Sequence, residues 1–353
     1  MASGIHRQIV LARRPTGMVD ASCFAPAEAP IPTPAAGQAL VRVLCIAIDP
    51  AIRGWIDARG SGYMPALPLG EPVRSNGIGV VVETRSERLP VGAYVTGLTG
   101  WQEYALVCAD FSDLTKFASP LPEGCTAIQG ATVLGQGAVT AYAGVLRVAP
   151  PVAGETWVVS AAASGVGSLV VQLARLEGAR VVGIAGSPEK CRWVTEVLGA
   201  EACIDYKRED VDARLKALCP RGVNVFFDNV GGALLDVVLR RIAHRGRIVL
   251  CGALATDNAK EPYRLANYDR LMSRRASMVG LNVIDHWDLF PEALKRIGNW
   301  LAAGTLVYRS EIVDGLDEAP RALVRLYEGD HLGKLVVRLD PRADLQARAS
   351  SLP

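Results

Sequence analysis

Residues 156–190 read TWVVSAAASGVGSLVVQLARLEGARVVGIAGSPEK, and this stretch decides the fold. Val158 and Val159 belong to a short β-branched run of the kind that forms a buried strand. Small residues follow over 161–168, and then Leu169, Val170, Leu173, Ala174 and Leu176 recur at helical spacing. Gly178 is placed to stop that helix, and the apolar run 181–185 supplies a second strand. The stretch is therefore a β-α-β unit. Small residues in its first turn let a dinucleotide pyrophosphate approach the backbone, where the helix N-terminus offers N–H groups and partial positive charge. A strict G-x-G-x-x-G would need Gly at 162, and that position is Ala, so the motif is a close relative of A-x-x-G-x-x-G ending on Ser168. Any α/β protein can hold a tight strand-to-helix turn. The flanking strand, helix and second strand are the context that marks a dinucleotide site.

The tip of the second strand selects the cofactor. An NAD site places Asp or Glu there, about 20 residues past the glycines, to bond the ribose 2′-hydroxyl. Here the tip is Gly186-Ser187-Pro188-Glu189-Lys190. Gly186 leaves room for a 2′-phosphate, which the Ser187 hydroxyl and Lys190 ammonium can bind, while Glu189 falls beyond the tip in the next helix. NADP(H) is the expected cofactor.

Composition narrows the rest. At 353 residues the chain is long enough for two domains, and a formal charge of +2 with half the residues apolar excludes a disordered chain and gives no nucleic-acid footprint. No apolar run reaches the roughly 18 residues of a membrane span, and the first residues lack the apolar core of a signal peptide. The eight cysteines have no paired spacing and lie mostly in apolar runs, as reduced thiols of a cytoplasmic protein would.

Residues 5–125 alternate short strands with turns, at 39–48, 77–83, 94–98 and 104–108 among others, and predict an all-β, partly open barrel domain. The proline-rich segment 25–34 reads as loop. A helix at 135–146 opens a β-α-β series with further strands at 202–205, 223–228, 247–251 and 278–284, a doubly wound parallel sheet. After a helix at 291–303 the chain returns to strands, ending at 334–339. The expected domains are 1–128 with 305–353, and 129–304. The fold class is α/β, a Rossmann domain beside a mainly β one.

Ordered motifs run almost from end to end: LARRPTG at 11–17, IDPAIRGW at 48–55, LGEPVRSNGIGVVVE at 69–83 and GLTGWQEYALV at 97–107. LGQGAVTAY at 134–142, AAASGVGS at 161–168, FFDNVGG at 226–232, GRIVLCGA at 246–253 and HLGKLVVRL at 331–339 continue them. With these the chain resembles the zinc-independent medium-chain dehydrogenases/reductases, in the branch of leukotriene/prostaglandin reductases and alkenal double-bond reductases. The resemblance implies a GroES-like catalytic domain, a Rossmann domain and NADPH-dependent reduction of the C=C bond of α,β-unsaturated carbonyls. It also implies roles. Gly165, Val166, Gly167 and Ser168 would face the pyrophosphate, while Lys190 and Tyr206 would hold the 2′-phosphate end. Asn229, Cys251 and Gly252 would line the nucleotide, and Leu281, Asn282 and Val283 would border the nicotinamide. A homodimer joined through the nucleotide domain is implied as well, pairing the apolar sixth strand with its copy.

No metal site is expected. The four histidines (His6, His244, His286, His331) have no Cys or His at ligand spacing, and the zinc-dependent relatives' Gly-His-Glu signature and four-cysteine lobe are absent. Hydride addition to a β-carbon then leaves an enolate oxygen that needs a hydrogen-bond donor. Tyr63 matches a family tyrosine ahead of the LGEPVR strand and is the candidate catalytic residue. A second family tyrosine is replaced, with Ser273 at the aligned position and Tyr268 upstream, and His331 stands where relatives often carry Asn. The alternatives on the same fold are a quinone reductase and an NADPH-binding protein of low turnover. The substrate is a small unsaturated carbonyl compound, with no nucleic acid and no membrane involved.

Overall fold

The computed structural model describes residues 4–110, 113–259, 261 and 263–345. Its strands in chain order are β1 (Ile5–Leu11), β2 (Phe24–Pro30), β3 (Gln38–Ala47), β4 (Asn76–Thr84), β5 (Tyr94–Leu98), β6 (Tyr104–Cys108) and β7 (Ala118–Pro120). These are followed by β8 (Thr156–Val159), β9 (Arg180–Ala185), β10 (Ala202–Asp205), β11 (Val223–Asp228), β12 (Ile242–Leu250), β13 (Ser277–Gly280), β14 (Ser310–Asp314) and β15 (Lys334–Arg338). They fall into two units, one of residues up to Gln136 with those from Ser310 on, the other Gly137–Arg309. The sequence-based bounds of 128 and 304 lie short of both divisions.

The second unit is built outward from the opening stretch. Its sheet runs β10-β9-β8-β11-β12-β13, every neighbouring pair parallel. All four residues of β8 are buried, as a parallel strand covered on both faces requires. The helices Gly165–Leu176, Pro188–Arg192, Val211–Leu218 and Gly232–Arg241 alternate with the strands. Val158, Ile184, Ile204, Phe226, Leu239 and Ile248 form one continuous core. Each such side chain contributes about 1.5–3 kcal/mol by leaving water. From β8 the chain builds β9 and β10 to one side and β11 to β13 to the other. The reversal lies between β8 and β11, and open α/β sheets bind ligands beyond the carboxyl ends of strands at such a reversal.

One expectation here needs correcting. The apolar run 278–284 predicts a single strand, yet β13 stops at Gly280. The Asn282 carboxamide accepts the Ile284 N–H at 3.1 Å and starts a short helix, Val283–Leu289.

In the first unit a mainly antiparallel sheet runs β14-β15-β3-β4-β5-β7, with β6 also on β3 and β14 parallel to β15. Among the described residues it does not close into a barrel. The segment 25–34, read as loop, is largely strand: β2 pairs antiparallel with β1 in a separate two-stranded ribbon. Pro26 and Pro30 lie opposite Ile9 and Ile5, on one side of the ribbon. Among the described residues β1 is the only partner strand of β2, so β2 needs no N–H on its outer side and the prolines break no ladder.

Candidate active site

The cofactor candidates all lie just past a strand of one sheet. Gly165–Ser168 follow β8, Gly186, Ser187 and Lys190 follow β9, and Tyr206 follows β10. Asn229 follows β11, Cys251 and Gly252 follow β12, and Leu281, Asn282 and Val283 follow β13. The second unit thus brings them to a single edge.

The turn after β8 is held under strain. Ala161 has φ of +47°, a left-handed conformation that costs a side-chain-bearing residue roughly 1–2 kcal/mol. The helix Gly165–Leu176 begins immediately, its N-terminus capped by Ser164, whose Oγ accepts the Gly167 N–H at 3.1 Å. A Cβ on Gly167 would stand 2.2 Å from the Ala161 carbonyl oxygen, so only glycine lets helix and turn lie this close. The Gly165 and Val166 amides, in the first turn, have no carbonyl within the helix to bind, which makes them the groups an anion at this helix end would meet. Ser168 behaves differently. It is buried, and its hydroxyl donates to the Gly165 carbonyl at 3.2 Å, back onto the helix.

At the tip of β9, Ser187 caps the helix Pro188–Arg192, its Oγ accepting the Lys190 N–H at 3.2 Å. Its own proton stays available for a ligand. Tyr206 donates its N–H to the Ala185 carbonyl at 3.0 Å and lays its half-exposed ring over Gly186. A Cβ at 186 would meet that ring at 2.8 Å, which makes Gly186 a requirement of the ring's position. Ser187, Lys190 and Tyr206 are gathered here, and Glu189 is exposed in the helix's first turn.

The reversal between β8 and β11 is tied by a buried hub. Asp228 Oδ1 accepts from Ser160 Oγ, Val230 N–H and Gly231 N–H, each at 3.0 Å. Asn229 donates its N–H to Ser160 Oγ and its side-chain amide to the Ser160 carbonyl, both at 2.8 Å. The Asp228 carbonyl accepts from Cys251 and Gly252 N–H at 2.8 and 3.1 Å, and Leu281 donates to Leu250 at 2.8 Å. Burial pushes the Asp228 carboxyl above its ordinary range, while its three donors pull the other way. Burial also pushes the Cys251 thiol up to about 12, with the Asp228 charge adding to it, so Cys251 stays a neutral thiol. Asn282 engages its side-chain oxygen as a helix cap, and Leu281 and Val283 are buried beside it.

Ser160 and Asp228 escaped the sequence reading. The signal was an acid closing the buried run Phe226-Phe227-Asp228, since a carboxylate there needs partners. Asp228→Ala should destabilise this unit by about 2–4 kcal/mol, seen as a lower denaturant midpoint, whereas Asp228→Asn, which keeps the acceptor oxygen, should retain most of the stability. Equal losses in both variants would show that the hydrogen bonds at Oδ1 are not what matters.

Tyr63, in the first unit, sits on the loop between the helix Ala51–Trp55 and β4. Arg14 clamps that loop at both ends, donating to the Ile56, Asp57 and Leu67 carbonyls at 2.9, 3.2 and 2.8 Å. The buried Trp55 donates its indole N–H to Tyr63 Oη at 3.3 Å. The phenol is 43% exposed, and with the indole as its donor it keeps its own proton for an outside acceptor. Arg14 lies within LARRPTG, but nothing in that motif points to a loop more than forty residues away. Tyr268 is exposed, and the Ser273 hydroxyl donates to Arg270 of its own helix at 3.5 Å. His331 lies in the first unit, just before β15.

Residues 7–116 match the family described as N-terminal domain of oxidoreductase, and residues 165–299 the family described as zinc-binding dehydrogenase. The donor set for zinc is not assembled: among the described residues no three His, Cys, Asp or Glu side chains are placed to hold a metal ion. The chain is 36% identical to the NADPH-dependent curcumin reductase of Escherichia coli, over 95% of its own length and 97% of the relative's. It is 35% identical to the NADP(+)-dependent 2-alkenal reductase of Nicotiana tabacum, over 84% and 86% of the two chains. The crystal structure of CurA from Vibrio vulnificus in complex with NADPH superposes with a TM-score of 0.86 at 34% identity, covering 95% of this chain and 99% of that one.

Proposed function

Since the chain belongs to the medium-chain dehydrogenases/reductases, in their zinc-independent enone reductase branch, we propose that it reduces the C=C bond of α,β-unsaturated ketones and aldehydes. It is an NADP-dependent oxidoreductase. The observation that carries this reading is identity along almost the whole chain with reductases named for NADPH, curcumin and 2-alkenals. When bound, NADPH supplies the hydride that adds to the substrate's β-carbon.

The chain's own residues do the rest. The Gly165 and Val166 amides at the helix N-terminus hold the pyrophosphate, with Gly167 and Ser168 keeping the turn narrow behind them. Ser187 and Lys190 bind the 2′-phosphate, and Tyr206 covers the same end. Asn229, Cys251 and Gly252 line the nucleotide where the Asp228 hub fixes them, and Leu281, Asn282 and Val283 border the nicotinamide. Tyr63 donates a hydrogen bond to the substrate's carbonyl oxygen, which gains negative charge as the β-carbon gains hydride. The enolate then takes a proton from solvent at its α-carbon, which completes the saturated carbonyl product. Initial rates with NADPH and a panel of enones, enals and quinones test this reading. Turnover of enones or enals is expected; turnover of quinones alone would displace it.

The assembly is a homodimer. What supports this is β13, which among the described residues pairs only with β12 and leaves Val279 46% exposed at the sheet's edge. Pairing β13 with its copy across a two-fold axis would cover that edge. A dimer mass at micromolar concentration in light scattering is the expected result, and a monomer mass the contrary one. We place the protein in the cytoplasm. The eight free cysteines support a reducing compartment, and among the described residues no helix is long and apolar enough to cross a membrane.

A further inference from the structure

The helix Pro188–Arg192 carries Cys191 and lies against β10, which carries Cys203. Cys203 pairs with Gly183 of β9, and its sulfur lies 3.3 Å from where a Cβ of Gly183 would stand. Val194 packs at the same point, so Cys203 faces the side of the sheet that residues 188–197 cover. Cys191, three residues before Val194, shares its helical face and so is turned to the same side of the sheet as Cys203. Both are partly exposed, unlike Cys23, Cys45, Cys108, Cys125 and Cys219, which are buried.

We propose that Cys191 and Cys203 are a dithiol modification site that hydroperoxides convert to a disulfide. The neighbouring Cys203 thiol holds the Cys191 thiol below its ordinary range, against burial and the nearby Asp205 and Glu209. The Cys191 thiol, with burial, pushes Cys203 up. The thiolate, which is the nucleophile, therefore forms on Cys191. It attacks one oxygen of the hydroperoxide, the O–O bond breaks, and the departing oxygen leaves as water or alcohol with the proton Cys191 gave up. The Cys203 sulfur then attacks the Cys191 sulfenic acid. The S–O bond breaks, the Cys203 proton goes to the departing hydroxide, and water leaves. Two thiols lose two electrons, and the peroxide gains them.

An S–S bond is about 2.05 Å long, far shorter than any contact between two separate thiols. Closing it draws Cys191, and with it the adjacent Lys190, toward β10, so NADPH binding weakens. That consequence rests on the 2′-phosphate site proposed above; the disulfide itself does not.

The test uses the full chain, exposed to a modest excess of hydrogen peroxide, alkylated, digested and weighed peptide by peptide. A Cys191–Cys203 linked peptide that dithiothreitol releases is expected. In Cys203→Ser the reaction should stop at a Cys191 sulfenic acid that a cyclic dione traps. In untreated protein Cys191 should alkylate about tenfold or more faster than Cys251, whose thiol burial pushes up to about 12. Equal alkylation of these two, or a peroxide-treated chain with Cys191 and Cys203 unlinked, overturns the proposal. NADPH titration of the cross-linked protein is read separately, with an affinity loss of about tenfold and no change for NADH expected. A cross-link that leaves NADPH affinity unchanged keeps the dithiol and refutes the placing of the 2′-phosphate beside Lys190.

Discussion

Replacing Tyr63 with Phe should lower kcat on the best enone by about ten- to a thousandfold while KM moves little. The substitution removes only the hydroxyl, and the ring remains on a loop that Arg14 holds at both ends. The substrate carbonyl is a weak acceptor in the ground state and a strong one as the enolate forms, so the loss falls on the transition state. The Trp55 indole sharpens the expectation. It donates to Tyr63 Oη and so leaves the phenol's proton directed elsewhere. A drop in kcat and kcat/KM together is the signature of an interaction made only in the transition state. Full activity in Tyr63→Phe beside a loss in Tyr268→Phe or Ser273→Ala would move the role to one of those residues. Full activity in all three would leave the cofactor's ribose hydroxyl or a water to carry the charge.

Lys190→Ala should weaken NADPH binding by about ten- to a hundredfold and leave NADH nearly untouched. One charge-assisted hydrogen bond is worth roughly 1.5–3 kcal/mol, which sets that range. Lys190 stands in the first turn of the helix that Ser187 caps, four residues past Gly186, over which the Tyr206 ring lies. Calorimetric titration with both cofactors checks it. Equal weakening for NADPH and NADH would mean that the substitution disturbs the helix and not a phosphate contact.

How much of this was legible in the sequence depended on how local each feature is. The turn at 161–168 was readable because strand, small residues and helix follow one another directly, and the cap and the close glycine lie within the same few residues. The lack of an acid after β9 was equally local. The hub at Ser160 and Asp228 was not, because it exists only once β8 and β11, far apart in the chain, lie side by side. The same holds for Arg14 and the Tyr63 loop, and for Cys191 and Cys203, whose spacing means nothing until helix meets β10. Two local signals misled. The prolines of β2 pointed to loop because edge position is invisible in sequence, and the apolar run 278–284 concealed the Asn282 cap that ends β13.

The central claim is hydride delivery to the β-carbon, and a single labelled turnover tests it most directly. The enzyme is given an enone and NADPH carrying deuterium at the transferable position, and the product is examined by NMR. The expected product is the saturated ketone with deuterium on the β-carbon. An allylic alcohol with deuterium on the former carbonyl carbon would contradict it.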